Sequence, residues 1–74
     1  MYKVLIADDE NLIRITLKNM IDWKALDCEV IALAKDGQEA YDIYCAAHPE
    51  IVITDLKMPK MDGIELITKI RSEN

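Results

Sequence analysis

No stretch of this 74-residue sequence approaches the roughly 20 apolar residues that a membrane span requires. The opening MYKVLIADDE lacks the basic and then apolar layout of a secretion signal. Both absences make the cytoplasm the expected location. Positive charge is also scarce: 9 Lys and Arg stand against 14 Asp and Glu, a formal net charge of -5, with a pI near 4.6. Such a surface repels nucleic acid phosphates, so direct DNA binding by this segment is not expected. The two cysteines, Cys28 and Cys45, have no CxxC spacing and are expected to be reduced thiols packed as small apolar side chains. His48, the one histidine, precedes Pro49 in an expected loop, a place for a solvated side chain rather than a catalytic one. Internal repeats, low-complexity tracts and linkers are missing.

What is present describes a soluble globular chain, with 51% hydrophobic and 31% charged residues. This length allows one small domain, whose core is thin because it buries only about 60% of the surface its unfolded chain exposes.

Lys3 to Ala7 (KVLIA) is a nearly unbroken apolar run that ends abruptly in Asp8, Asp9 and Glu10, as a buried strand does on reaching the surface. From Asn11, the apolar residues Ile13, Leu17, Met20 and Ile21 recur at steps of three and four, which predicts an amphipathic helix with Leu12 and Ile15 widening its stripe. Trp23 is expected to anchor the end of that helix. After a break at Asp22 to Asp27, Val30 to Ala34 predicts a second strand, closed by Asp36-Gly37. A second helix follows, with Ala40, Tyr41, Tyr44 and Ala47 on one face and Asp36 and Glu39 arranged as a capping box.

Ile51 to Thr54 (IVIT) is β-branched throughout, and it predicts a third strand that delivers Asp55 at its C-terminal end. The loop Leu56 to Met61 contains Pro59. Asp62 and Glu65 then start a third helix, with Ile64, Leu66, Ile67 and Ile70 as its apolar face. Alternation of this kind with short connections predicts an α/β fold of right-handed βαβ units around a parallel sheet, in the order βαβαβα.

Ligands of such sheets sit at the carboxyl ends of the strands. If the first and third strands are neighbours, Asp8, Asp9 and Asp55 converge on one cleft, and three anions that close call for a cation. Oxygen-only ligands with room for water favour Mg2+. An aspartate carboxylate can also attack phosphorus and form an acyl phosphate, and Asp55, alone at the end of its strand, suits that role. Acidic residues at strand ends also serve simply as helix caps or solvated groups. Met58, Met61, Ile64 and Leu66 are expected to pack, and Lys57 and Lys60 fit plain surface charge.

The opening KVLIADDE, the later DGQEAY and above all IVITDLKMPKMDGIEL resemble the response-regulator receiver domains of two-component signalling. Asp55 to Gly63 matches the family's phosphorylation-site pattern, D-x-x-M-P-x-M-D-G, at every fixed position. The resemblance implies a flavodoxin-like doubly wound parallel sheet, present in part, with strand order 2-1-3. It implies Asp55 as phosphoacceptor and Asp8, Asp9, Asp55 and the backbone carbonyl of Lys57 as ligands of Mg2+, with Pro59 and Gly63 shaping the following loop. The implied donor is a phosphohistidine on a sensor histidine kinase, for which small acyl phosphates can substitute. The domain would be a regulatory phosphoacceptor that assists its own phosphotransfer rather than an enzyme. The stretch IDWKALDCEVIALAKDGQEAY is similar to receivers joined to AraC-type DNA-binding domains, which implies a transcriptional output outside this chain.

The family's domain has five strand-helix units and this sequence supplies three, so residues 1-74 are expected to be a truncated receiver. The Ser or Thr and the Lys that the family places on its fourth and fifth strands have no counterpart here. Truncation would expose the edge of the third strand, and self-association through it is expected. A phosphohydrolase or phosphomutase with an aspartyl nucleophile would carry a second Asp two residues on, where Lys57 stands. A purely structural fragment, binding neither metal nor phosphate, is the other rival.

Overall fold

The structure is a computed structural model that describes residues 1-72. Three parallel strands, β1 (Tyr2–Ala7), β2 (Cys28–Ala34) and β3 (Ile51–Thr54), form one sheet in the order β2-β1-β3. The helices α1 (Asn11–Met20), α2 (Gly37–Ala47) and α3 (Gly63–Ser72) alternate with them. The predicted architecture and the strand order 2-1-3 are therefore borne out.

Central β1 is the best covered strand. Val4, Leu5 and Ile6 have no exposed surface, and each such side chain contributes about 1.5–3 kcal/mol when taken out of water. Side chains alternate across a strand, so β1 feeds two cores. Leu5 and Ala7 pack with Ala34, Ala40, Met58, Met61 and Leu66 on the side of α2 and α3. Val4 and Ile6 pack with Cys28, and with the half-buried Leu17, Trp23 and Ile53, on the side of α1. A register shift between Val4 and Leu5 lets β2 insert Ile31 and continue to Ala34, a local bulge of the kind that increases strand twist.

Several local expectations gain detail. The carboxylate of Asp36 accepts the N–H of Glu39 at 2.8 Å, and the carboxylate of Glu39 accepts the N–H of Lys35 at 3.1 Å, so α2 starts from a reciprocal cap. Trp23 closes α1 by donating its indole N–H to the carbonyl of Lys18. The break before β2 contains a short 3-10 turn, Lys24–Leu26, ended by Asp27 at φ 57. β2 begins at Cys28, two residues earlier than predicted, because Cys28 and Glu29 pair with Tyr2 and Lys3 of β1.

Three expectations are corrected. Cys28 is buried but Cys45 is exposed on α2, where its position points away from the apolar face of Ala40 and Tyr44. The apolar stripe of α1 is a core face only in part: Leu17 packs half-buried against the core, but no residue of α1 is fully buried, and Leu12 and Met20 are 75% and 78% exposed. On α3, Leu66 is buried and Ile70 partly so, while Ile64 stands outside at 63% exposure. Leu66 and Ile70 are one turn apart, and Ile64 falls on a different side of the helix.

Candidate functional site

The pairing of Ala7 with Thr54 across β1 and β3 sets the site. The next residue on each strand is an aspartate, so Asp8 and Asp55 leave the sheet side by side. Backbone hydrogen bonds carry the sheet one step further: the N–H of Asp8 donates to the carbonyl of Ala34 at 3.0 Å, and that of Asp55 to the carbonyl of Ala7 at 3.1 Å. Asp9 is the following residue on the same turn.

One carboxylate oxygen from each of Asp8, Asp9 and Asp55 lies within 4.8 Å of the others. Asp8 is 7% exposed, whereas Asp9 and Asp55 are exposed. Two of the three are held by the backbone. Oδ1 of Asp8 accepts the N–H of Glu10 at 2.9 Å, and Oδ1 of Asp55 accepts the N–H of Leu56 at 2.7 Å. The guanidinium of Arg14 does not neutralise the group, because it donates to the main-chain carbonyl of Asp8 and to Oδ1 of Asn11.

Among the described residues the ion pairs join Met1 to Asp27 and Lys60 to Asp36, so none reaches the three carboxylates. The donor set is all oxygen and formally trianionic. The three oxygens lie close enough together for one small cation to be shared among them. These residues suit a small hard cation.

The loop after Asp55 is anchored in the core. Met58 and Met61 insert into the core beside Ala40 and Leu66, which leaves Lys57, Pro59 and Lys60 outside. The N–H of Met61 donates to the carbonyl of Pro59 at 2.7 Å, and Lys60 between them has φ 68. That is a three-residue turn of the rarer, strained γ class, and a lysine in the left-handed region costs about 1–3 kcal/mol. At the far end, the N–H of Gly63 donates to the carbonyl of Leu56 at 3.0 Å. A Cβ on Gly63 would stand 2.1 Å from the carbonyl oxygen of Asp55. Glycine is required there by close approach, since its own φ is not positive.

Asp36, which sequence reasoning treated only as a helix cap, also borders this loop. Its side chain is 8% exposed and lies 3.7 Å from Nζ of Lys60. The N–H of Glu39 holds its carboxyl below the usual carboxylate range, with Lys60 and Lys35 adding to the effect and burial opposing it. The DG pair was a legible signal for a turn, but its contact with a loop 24 residues away was not.

The structure thus brings Asp8, Asp9 and Asp55 together and stations Lys57, Pro59 and Gly63 on the adjoining loop. The carbonyl of Lys57 accepts no hydrogen bond from the described residues. His48 caps the C-terminal end of α2 at φ 47, remote from the cluster. An open cleft lined by Tyr44, His48, Glu50, Val52, Ile67 and Arg71 lies at the opposite end of β3 and includes none of the carboxylates. No described helix is long and apolar enough to cross a membrane.

A profile of the response regulator receiver domain matches residues 4–74. The chain is 49% identical over 70 residues to the transcriptional regulatory protein YesN of Bacillus subtilis, covering 95% of this chain and 19% of that protein. It is 44% identical over 70 residues to the transcriptional regulatory protein HptR of Staphylococcus aureus, covering 95% and 28%. The chain therefore spans less than a third of the curated relatives it matches. Among solved structures, it superposes on the REC domain of AraT, a response regulator from Geobacillus stearothermophilus. That match has a TM-score of 0.92 and 42% identity, over 96% of this chain and 55% of that one. A two-component transcriptional regulator AraC from Clostridium phytofermentans matches with a TM-score of 0.89 and 42% identity, over 99% and 59%. On these grounds the chain belongs to the response regulator receiver domains of two-component systems.

Proposed function

We propose that the chain is a phosphoacceptor module in which Asp55 receives a phosphoryl group from a phosphohistidine of a sensor histidine kinase. The observation that carries this reading is the convergence of the Asp8, Asp9 and Asp55 oxygens within 4.8 Å at the ends of β1 and β3. Asp8, Asp9, Asp55 and the carbonyl of Lys57 would hold Mg2+, whose chemistry there is to offset charge on the phosphoryl oxygens.

The chain's own part is positioning. The N–H of Leu56 fixes Oδ1 of Asp55 and leaves Oδ2 as the attacking atom. A bond forms from Oδ2 to phosphorus as the bond from phosphorus to the imidazole nitrogen breaks; the imidazole keeps the electron pair and Asp55 becomes an acyl phosphate. This is regulation that assists its own phosphotransfer rather than turnover of a substrate.

The share of relatives covered supports reading residues 1-74 as the opening part of a receiver whose output, transcriptional in the relatives' names, lies elsewhere. The net charge of -5 supports leaving DNA contact to that other part, and the opening sequence, without the layout of a secretion signal, supports a cytoplasmic location. Among the described residues β3 pairs with β1 alone, and Ile51 on it is 37% exposed, which supports self-association along that strand edge. A strictly monomeric folded chain in solution would count against that association.

The phosphoacceptor reading is tested by incubating the chain with Mg2+ and acetyl phosphate and weighing it intact. A phosphoryl increment that Asp55→Asn abolishes is the expected result. A folded chain that gains no mass would leave the structural-fragment reading in its place.

A further inference from the structure

We propose that the N-terminus of α2 is a latch on the loop that follows Asp55, with Asp36 and Gly37 as positioning residues for phosphoryl acceptance. The positioning role rests on the phosphoacceptor reading above, whereas the latch stands on geometry alone.

A Cβ on Gly37 would lie 1.7 Å from the carbonyl oxygen of Met61 and 2.7 Å from its Cβ. Real Cβ contacts do not approach so closely, so the first turn of α2 and the main chain at Met61 touch with no space for any other residue. Gly37 is not required for backbone freedom, because no glycine here has a positive φ. It is required because another backbone occupies the place of its side chain.

Beside this contact, the largely buried carboxylate of Asp36 reaches Lys60 at 3.7 Å. Lys60 is the strained residue of the loop, and a strained turn persists only where its surroundings over-determine it. Those surroundings are Asp36 on one side, the buried Met58 and Met61 beneath, and Gly37 against Met61. Pro59 and Lys60 separate the latch from Met58, and Lys57 comes next. Release at Lys60-Met61 would loosen the carbonyl of Lys57 while leaving Asp8 and Asp9, which belong to β1's turn, where they are.

Two substitutions separate the latch from general stability. Asp36→Asn keeps an equally good helix cap but removes the charge that faces Lys60. Gly37→Ala forces the Met61 carbonyl away. Amide exchange at Met61 and Gly63, whose N–H groups donate within the loop, reports the latch, and exchange in β1 and mid-α2 reports the fold. The initial rate of phosphorylation by acetyl phosphate with Mg2+ reports positioning.

Faster exchange at Met61 and Gly63 is expected in both variants, with β1 unchanged at least in Asp36→Asn. The rate should fall about tenfold in Gly37→Ala, the lower end of the loss when a partner supporting a metal ligand is removed, and less in Asp36→Asn. Parental exchange at Met61 and Gly63 in Asp36→Asn would overturn the latch, even if Gly37→Ala fails to fold. Faster exchange with a parental rate would overturn the positioning role. A parent chain that accepts no phosphoryl group would sink the phosphoacceptor reading and that role together, while the exchange data would still decide the latch.

Discussion

On one face of the sheet, α2 and α3 bury Gly37, Ala40, Tyr44, Gly63 and Leu66; on the other, α1 buries no residue at all. Both faces receive fully buried side chains from β1, so the difference lies in the cover and not in the strand. The loop after Asp55 belongs to the well-covered face, through Met58 and Met61. Asp8 and Asp9 lead instead into α1, the poorly covered helix. The acidic cluster therefore joins a well-covered half to a sparsely covered half, and substitutions on the two sides should separate in size.

The largest effect is expected from Leu66→Ala. Removing a fully buried leucine costs about 2–5 kcal/mol, a large share of the stability available to a chain this small. Leu17→Ala, on the half-buried side of α1, should cost only about 1 kcal/mol, because less apolar area returns to water. Denaturant midpoints for the two variants measure the contrast, and equal losses would mean that α1 is better buried than described.

A smaller effect sharpens the same comparison through acid. Asp36, on the covered face, has its carboxyl held below the usual range. A depressed carboxylate contributes stability that is fully present above its unfolded pKa, about 3.9, and is lost as pH falls through the lower folded value. The parent should therefore lose stability more steeply than Asp36→Asn below about pH 4, with parallel curves above. Stability measured from neutral pH into the acid range checks this, and parallel curves throughout would refute it.

The order of elements was legible because each strand is a short apolar run that stops at acidic or turn residues, as KVLIA does at Asp8. The strand order followed from βαβ connectivity together with the family resemblance. The acidic trio was equally legible, since two strand ends carrying aspartates must meet if β1 and β3 are neighbours. What stayed hidden depends on contacts distant in sequence. Leu12, Ile15, Met20 and Ile64 read as core by periodicity, yet they face no covering element among the described residues. Nothing local marks Lys60 for a left-handed turn. Gly37 looked like a turn glycine, and only the fold reveals the Met61 backbone against it.

The measurement that bears most directly on the acidic cluster is a Mg2+ titration of the chain followed by the amide signals of Asp8, Asp9, Asp55 and Lys57. Saturable shifts at these four, strongly weakened by Asp9→Ala, are the predicted result. Unchanged affinity in Asp9→Ala, or shifts confined to other acidic positions, would contradict the site.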